Sequence, residues 1–236
     1  MSHRQQEKQR RREEREERER AEKARAARRQ RLQFAIGGLV AIAAIAVVAL
    51  LVSGTIGGGG GDGETEAAAP EAANVTIPEQ KIGDVKEAAK AAGCKLEHPA
   101  IEGAQHEERQ FTEADYKTNP PTSGNHFPTW SDDGVYPSGS TPPLGELVHT
   151  LEHGRIDVQY KPGTPQETVD QLNALLADME SGYHLLLFEN QTNMDAAVAA
   201  TAWGHSLSCP EMNDKVFDAI RTFRNEYIDK GPESVP

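Results

Sequence analysis

The hydrophobic pattern divides the chain into four unlike stretches. From Arg4 to Arg31 apolar residues are almost absent, and Glu and Arg recur at spacings of three and four, which support a single charged helix. No apolar seam of coiled-coil type runs through it. The reading for residues 1–31 is a cytoplasmic Arg/Glu-rich tail, helical or disordered. Next comes LQFAIGGLVAIAAIAVVALLVSG, in which Phe34 to Val52 carry no charge. At about 1.5 Å per residue these nineteen positions span about 28 Å, the thickness of a bilayer core. Residues 32–53 therefore read as a single transmembrane helix. GTIGGGGGDGETEAAAPEAA has nothing to bury and makes 54–74 a flexible tether.

Amphipathic periodicity begins at Val75, and residues 75–236 read as one extracytoplasmic domain. The pattern predicts a helix over Ile82–Ala92, ending at Gly93, and a strand over Gln105–Thr112. Pro and Gly crowd residues 118–145, which read as a long ordered loop. Arg155–Tyr160 alternates Ile156, Val158 and Tyr160 with polar residues, as a strand does. Thr164–Gly182 predicts a helix, with Thr164 as cap, Pro165 in its first position and Glu167 completing a capping box. Val169, Leu172, Leu175, Leu176 and Met179 form its apolar stripe. Tyr183–Phe188 and Ala196–Trp203 predict strands, and Pro210–Tyr227 a second amphipathic helix. The interleaving gives an α+β domain, a small β-sheet covered by helices.

Charge sharpens the division. The chain has a net charge of −12, yet residues 1–31 hold thirteen Lys/Arg against seven Glu, a local +6, which leaves −18 for the remainder. An arginine excess just before the apolar segment places the N-terminus in the cytoplasm and the acidic domain outside the cell membrane. The tail reads as solvated, with contact between the arginines nearest the membrane and anionic lipid headgroups as the sharper alternative. Nucleic acid is not an expected partner, because the glutamates cancel half the basic charge. A cleaved signal peptide is the alternative, with Val52-Ser53-Gly54 as a small-residue cleavage site, but its apolar region would be about 7–15 residues long. Cys94 and Cys209 are the two cysteines, and no CxxC is present. In an oxidising compartment they predict a disulfide closing a 115-residue loop, worth on the order of 4 kcal/mol by chain entropy. Two free thiols are the other possibility.

Of eight histidines, four sit in short Gly-flanked contexts: His126, His149, His153 and His205. HTLEH formally matches the HxxEH pattern of inverted zinc peptidases, with His149 and His153 as ligands, Glu152 as catalytic base and Glu226 as a candidate third ligand. Gly154 follows at once and the chain turns into strand pattern, so the motif does not sit in mid-helix. A second reading is a zinc or copper site without catalysis. There His149 and His153 form the pair, His126 or His205 completes it, and Glu152 orients an imidazole. The third is structural: the histidines hold the proline-rich loop against the sheet. Ser123, the carboxylates Asp132, Asp133 and Glu146, and the stacking surfaces Trp130 and Trp203 are lesser candidates. The leading expectation is a binding module, for a transition metal or for a partner in a membrane complex, with the hydrolase as the alternative.

PPTSGNHF, GVYP, LVHTLEHGRIDVQY and TAWGHSLSC, in this order after one apolar segment, resemble the DUF3105 family of actinobacterial single-pass membrane proteins of unknown function. The resemblance covers roughly residues 105–228. It implies an anchored extracytoplasmic domain whose motif residues are His126, Tyr136, His149, Glu152, His153, Gly154, Trp203 and Gly204, and it implies no particular activity.

Overall fold

Alternating strands and striped helices assemble around one mixed sheet. The computed structural model describes residues 67–71 and 75–233. The tail, the transmembrane segment and most of the tether expected above lie outside the described residues. Among the described residues no helix is long and apolar enough to cross a membrane.

The elements are α1 (Val85–Ala92), β1 (Lys95–Glu97), β2 (Gly134–Val135), α2 (Leu144–Glu152), β3 (Ile156–Tyr160), α3 (Gln166–Asp178), β4 (Leu185–Glu189), β5 (Val198–Ala202), β6 (His205–Cys209) and α4 (Asp214–Tyr227). The sheet order is β1-β6-β5-β3-β4-β2. β4 pairs in parallel with β3 and β2, and the remaining neighbours are antiparallel. One face carries Ile156, Val158, Leu185, Leu187, Ala200 and Leu207, which pack against α1, α3 and α4 to form the main core. On the other face Leu186 and Phe188 meet Leu147 of α2 and Tyr136 of the proline-rich loop. With both faces covered, every residue of β3 is buried.

That second covering turns the polar half of the β3 alternation inward. Asp157 Oδ1 accepts from the Thr150 hydroxyl at 3.1 Å, and Gln159 donates to the Thr201 hydroxyl at 3.3 Å. Asn190 in turn donates to Gln159 at 2.8 Å. Burial holds the Asp157 carboxyl well above its ordinary range. The network fixes α2 against the sheet, which matters because α2 carries the site.

The predicted helices and strands form with shifted ends, apart from several departures, and β2 lies inside the stretch read as loop. Gln105–Thr112 makes no strand; it contributes a single bridge between His106 and His126, so the loop is clamped rather than extended. α3 begins at Gln166 with Pro165 in the cap position and no side-chain cap. The Thr164 hydroxyl instead donates back to Lys161 O at 2.6 Å, so the expected capping box is not made. α2 starts inside what reads as loop, and β1 and β6 carry no strong alternation of their own. Cys94 and Cys209 form the predicted disulfide, tying the end of α1 to the end of β6.

Candidate metal centre

α2 owes its position to two close approaches. At Gly145 a Cβ would come within 2.6 Å of the Phe111 and Phe127 rings, so a bare backbone lets the proline-rich loop settle on the helix. There Phe127 N donates to Gly145 O at 3.2 Å. At the far end Gly154 takes a left-handed φ of 81°, the usual helix stop for a residue without Cβ. A Cβ there would lie 2.8 Å from Asp229 Cα. The space admits the C-terminal segment, whose Asp229 N donates to Gly154 O at 2.9 Å and Glu233 N to Glu152 O at 3.1 Å.

Leu147 faces the sheet, while His149 and Glu152, three residues apart on one helical face, point toward the loop. The loop delivers His126, whose backbone N donates to Gln105 O at 3.0 Å while its own carbonyl accepts from Glu107 N at 2.8 Å. This clamp also brings in His106. The rings of His106, His126 and His149 lie with centroids 4.7–4.8 Å apart. His106, His126, His149 and Glu152 each offer a ligand atom within 4.8 Å of the others. Relative exposure is 0% for His126, 2% for His149 and 4% for Glu152.

Hydrogen bonds decide which ring atoms are free. His126 Nδ1 lies 2.8 Å from Gly124 O, and His149 Nδ1 3.2 Å from Thr129 O. A carbonyl oxygen only accepts, so each Nδ1 carries the proton and each Nε2 carries the lone pair. His126 Nε2 lies 3.0 Å from Glu152 Oε2, and His106 Nε2 lies 3.4 Å from the same oxygen. With Glu152 ionised, the first of these contacts is not a hydrogen bond: both atoms are then acceptors, both are buried, and neither has a hydrogen-bond partner. Two acceptors at this distance need a proton or a metal ion between them. Ligands about 2.0–2.1 Å from a tetrahedral zinc stand about 3.3 Å from one another, close to this spacing.

The electrostatics point the same way. Burial lowers the His126 and His149 pKa values. It raises that of Glu152, with the Glu233 charge adding to the effect. His153 is lowered to about 4, first by burial and then by His149 and Arg155. Neutral imidazoles with free lone pairs are the form a metal ion binds, and the Nδ1 bonds to backbone carbonyls are the supports that orient such ligands.

The sequence-predicted residues separate here. His126, His149 and Glu152 converge. His153 lies one turn beyond His149, ring centroids 4.4 Å apart, in a second group with His149 and Glu233. His205 stands elsewhere: its Nδ1 is 2.7 Å from His98 Nδ1, its ring stacks on Tyr227 at 4.1 Å, and it joins neither group. Gly204, at a left-handed φ of 72°, turns the β5–β6 hairpin and carries His205 away while leaving Trp203 5.9 Å from His126. Glu226 pairs with Lys230 at 3.3 Å and is no ligand of either group. Glu152 lies among the ligand atoms rather than beside a zinc held by both motif histidines. Ser123 accepts from Glu102 N, Asp133 pairs with Arg155, and Glu146 accepts from the Thr129 and Ser131 hydroxyls. His106 and Glu233 escape sequence reasoning: the first stands alone, with no second histidine at ligand spacing, and the second lies 127 positions further along.

These features define a disulfide-closed α+β domain with largely buried His/Glu groups that could hold a metal ion. Residues 107–235 match DUF3105, described as a protein of unknown function. The match spans more than half of the chain, and the chain belongs to this family. No curated protein and no solved structure matches it. The matched span contains every residue of the two groups except His106, which stands one position ahead.

Proposed function

We propose that this domain binds one divalent transition-metal ion, zinc or copper, through His106, His126, His149 and Glu152. The observation that carries the reading is the pair of buried acceptors, His126 Nε2 and Glu152 Oε2, 3.0 Å apart without a donor. Three imidazoles and one carboxylate suit these borderline ions. A bound ion removes the cost of two unpartnered buried atoms and neutralises the carboxylate. Catalysis by Glu152 is not part of this reading, because a carboxylate that ligates the metal is not free to act as base.

Metal content of the full-length chain, purified in detergent without a histidine tag, is the direct test. About one ion per chain is expected, as in a closed four-ligand site. His149→Ala should remove it while circular dichroism stays that of the native protein. A protein without stoichiometric metal after zinc and copper loading would overturn the reading.

We also infer that residues 32–53 anchor the domain outside the cell membrane. Support comes from the nineteen uncharged residues, the preceding arginines and the disulfide, a bond that persists in oxidising compartments. Thiol alkylation of freshly lysed cells checks this: Cys94 and Cys209 should resist the reagent, and two free thiols would argue for a reducing location.

A further inference from the structure

The second group, His149, His153 and Glu233, has a different character from the first. Its ligand atoms also lie within 4.8 Å of one another, but its carboxylate is the open member, the Glu233 side chain being 48% exposed where that of Glu152 is 5% exposed, whereas the open member of the first group is an imidazole, His106, at 41%. His153 is only 3% exposed. Its Nδ1 is buried without a partner, and its Nε2 lies 3.5 Å from Glu233 Oε2. Trp130, itself 43% exposed, lies with its ring 4.7 Å from that of His153. The nearest fixed cation, Arg155, is held at 2.6 Å by Asp133, which offsets its repulsion of a second positive charge. Backbone bonds from Asp229 N to Gly154 O and from Glu233 N to Glu152 O strap the carboxylate over the end of α2.

We propose that His149, His153 and Glu233 form an outer seat through which the metal ion enters, and that His149 passes it to the buried group. The proposal rests on the metal-binding reading above. His149 belongs to both groups, and with its Nδ1–H donated to Thr129 O it has one lone pair to give. The two seats are therefore alternatives for a single ion. An ion held by His149 can exchange His153 and Glu233 for His106, His126 and Glu152 one ligand at a time. It is never returned to water, so it is never fully rehydrated on the way. An exposed carboxylate at the rim of an acidic domain is also where a cation arrives first.

Cobalt(II) uptake by the metal-free, full-length chain in detergent, followed through the visible bands of the bound ion in a stopped-flow instrument, tests this. Glu233→Gln should slow loading at least about tenfold, the low end of what local charge contributes to association rates. Final occupancy after overnight dialysis should stay at the wild-type level. Glu211→Gln, which removes an exposed carboxylate elsewhere, should load at the wild-type rate. A Glu233→Gln protein that loads as fast as wild type, or a Glu211→Gln protein slowed as much, would overturn the outer seat and leave the buried site standing. Loss of final occupancy in Glu233→Gln would make Glu233 a ligand of the resting site and end its role as an entry point. Failure of the wild type itself to bind would overturn both proposals.

Discussion

Glu152→Gln is expected to make the metal-free protein more stable while removing its metal site. The wild-type carboxylate points Oε2 at the lone pair of His126 Nε2 from 3.0 Å, and both atoms are buried without donors. Each such atom costs about 1–3 kcal/mol. A glutamine of the same shape turns its amide NH2 toward Nε2 and donates a hydrogen bond, so about 2 kcal/mol should be recovered. For a domain of this size that raises Tm by about 5 °C in chelator at pH 8. Zinc or copper should then raise the Tm of the wild type and leave the variant unchanged.

The pH dependence follows from the raised Glu152 pKa. In the folded protein the carboxyl holds its proton to higher pH than in the unfolded chain, so wild-type stability is lost as pH rises through the raised value. Protonated Glu152 also supplies the missing donor. The gap between variant and wild type should therefore narrow as pH falls toward 4.5, the ordinary value of the group. Glu152→Ala separates the explanations, since it leaves Nε2 unpartnered and opens a cavity and should destabilise. A Glu152→Gln protein less stable than the wild type in chelator would refute the account of the buried pair.

Replacing both cysteines by alanine should lower Tm by about 10 °C. The bridge joins residues 115 apart in sequence, and a loop of that length is worth about 4–5 kcal/mol in the chain-entropy model, or about 2–4 °C per kcal/mol in a domain of this size. Cys209 is fully buried, at the end of β6 where it pairs with Val198 of β5, and Cys94 follows the α1 cap. The bond thus holds α1 and the edge strand β1 to the sheet, with Lys95 opposite Ser208 and Glu97 opposite Ser206. Reduction of the wild type should reproduce the shift in calorimetry. A change of less than about 2 °C under both treatments would mean that packing of α1 against α4 alone secures this edge.

Local physics explains what was readable along the chain. The stripe from Val169 to Met179 and the one from Val216 to Tyr227 sit on faces that can be buried in only one direction, so α3 and α4 are legible from spacing. The alternation of Ile156, Val158 and Tyr160 marks β3 for the same reason. With two cysteines in the chain, only one intrachain bridge can form. The nearness of His149, Glu152 and His153 was readable too, but the sequence paired the two histidines, and it is the helix that puts Glu152 on one face with His149. α2 itself was hidden, because Pro142, Pro143 and Gly145 at its start read as loop and only the Phe111 and Phe127 rings explain the glycine.

By itself, then, the sequence determined the class of fold, the disulfide and the stretch His149–His153 as candidate chemistry, since each depends on residues that are near neighbours or have no other partner to choose. That Glu152 rather than His153 stands with His149 among the ligand atoms of the buried group was decided by the fold. Tertiary structure alone decided the rest of the site. His106 and His126 meet because two loop segments bridge backbone to backbone, and Glu233 arrives because Gly154 leaves room for the chain end. His205 leaves because the β5–β6 hairpin turns it toward His98 and Tyr227. Those contacts join positions far apart along the chain, and their energies belong to the packed sheet and its coverings, which no short window of residues contains.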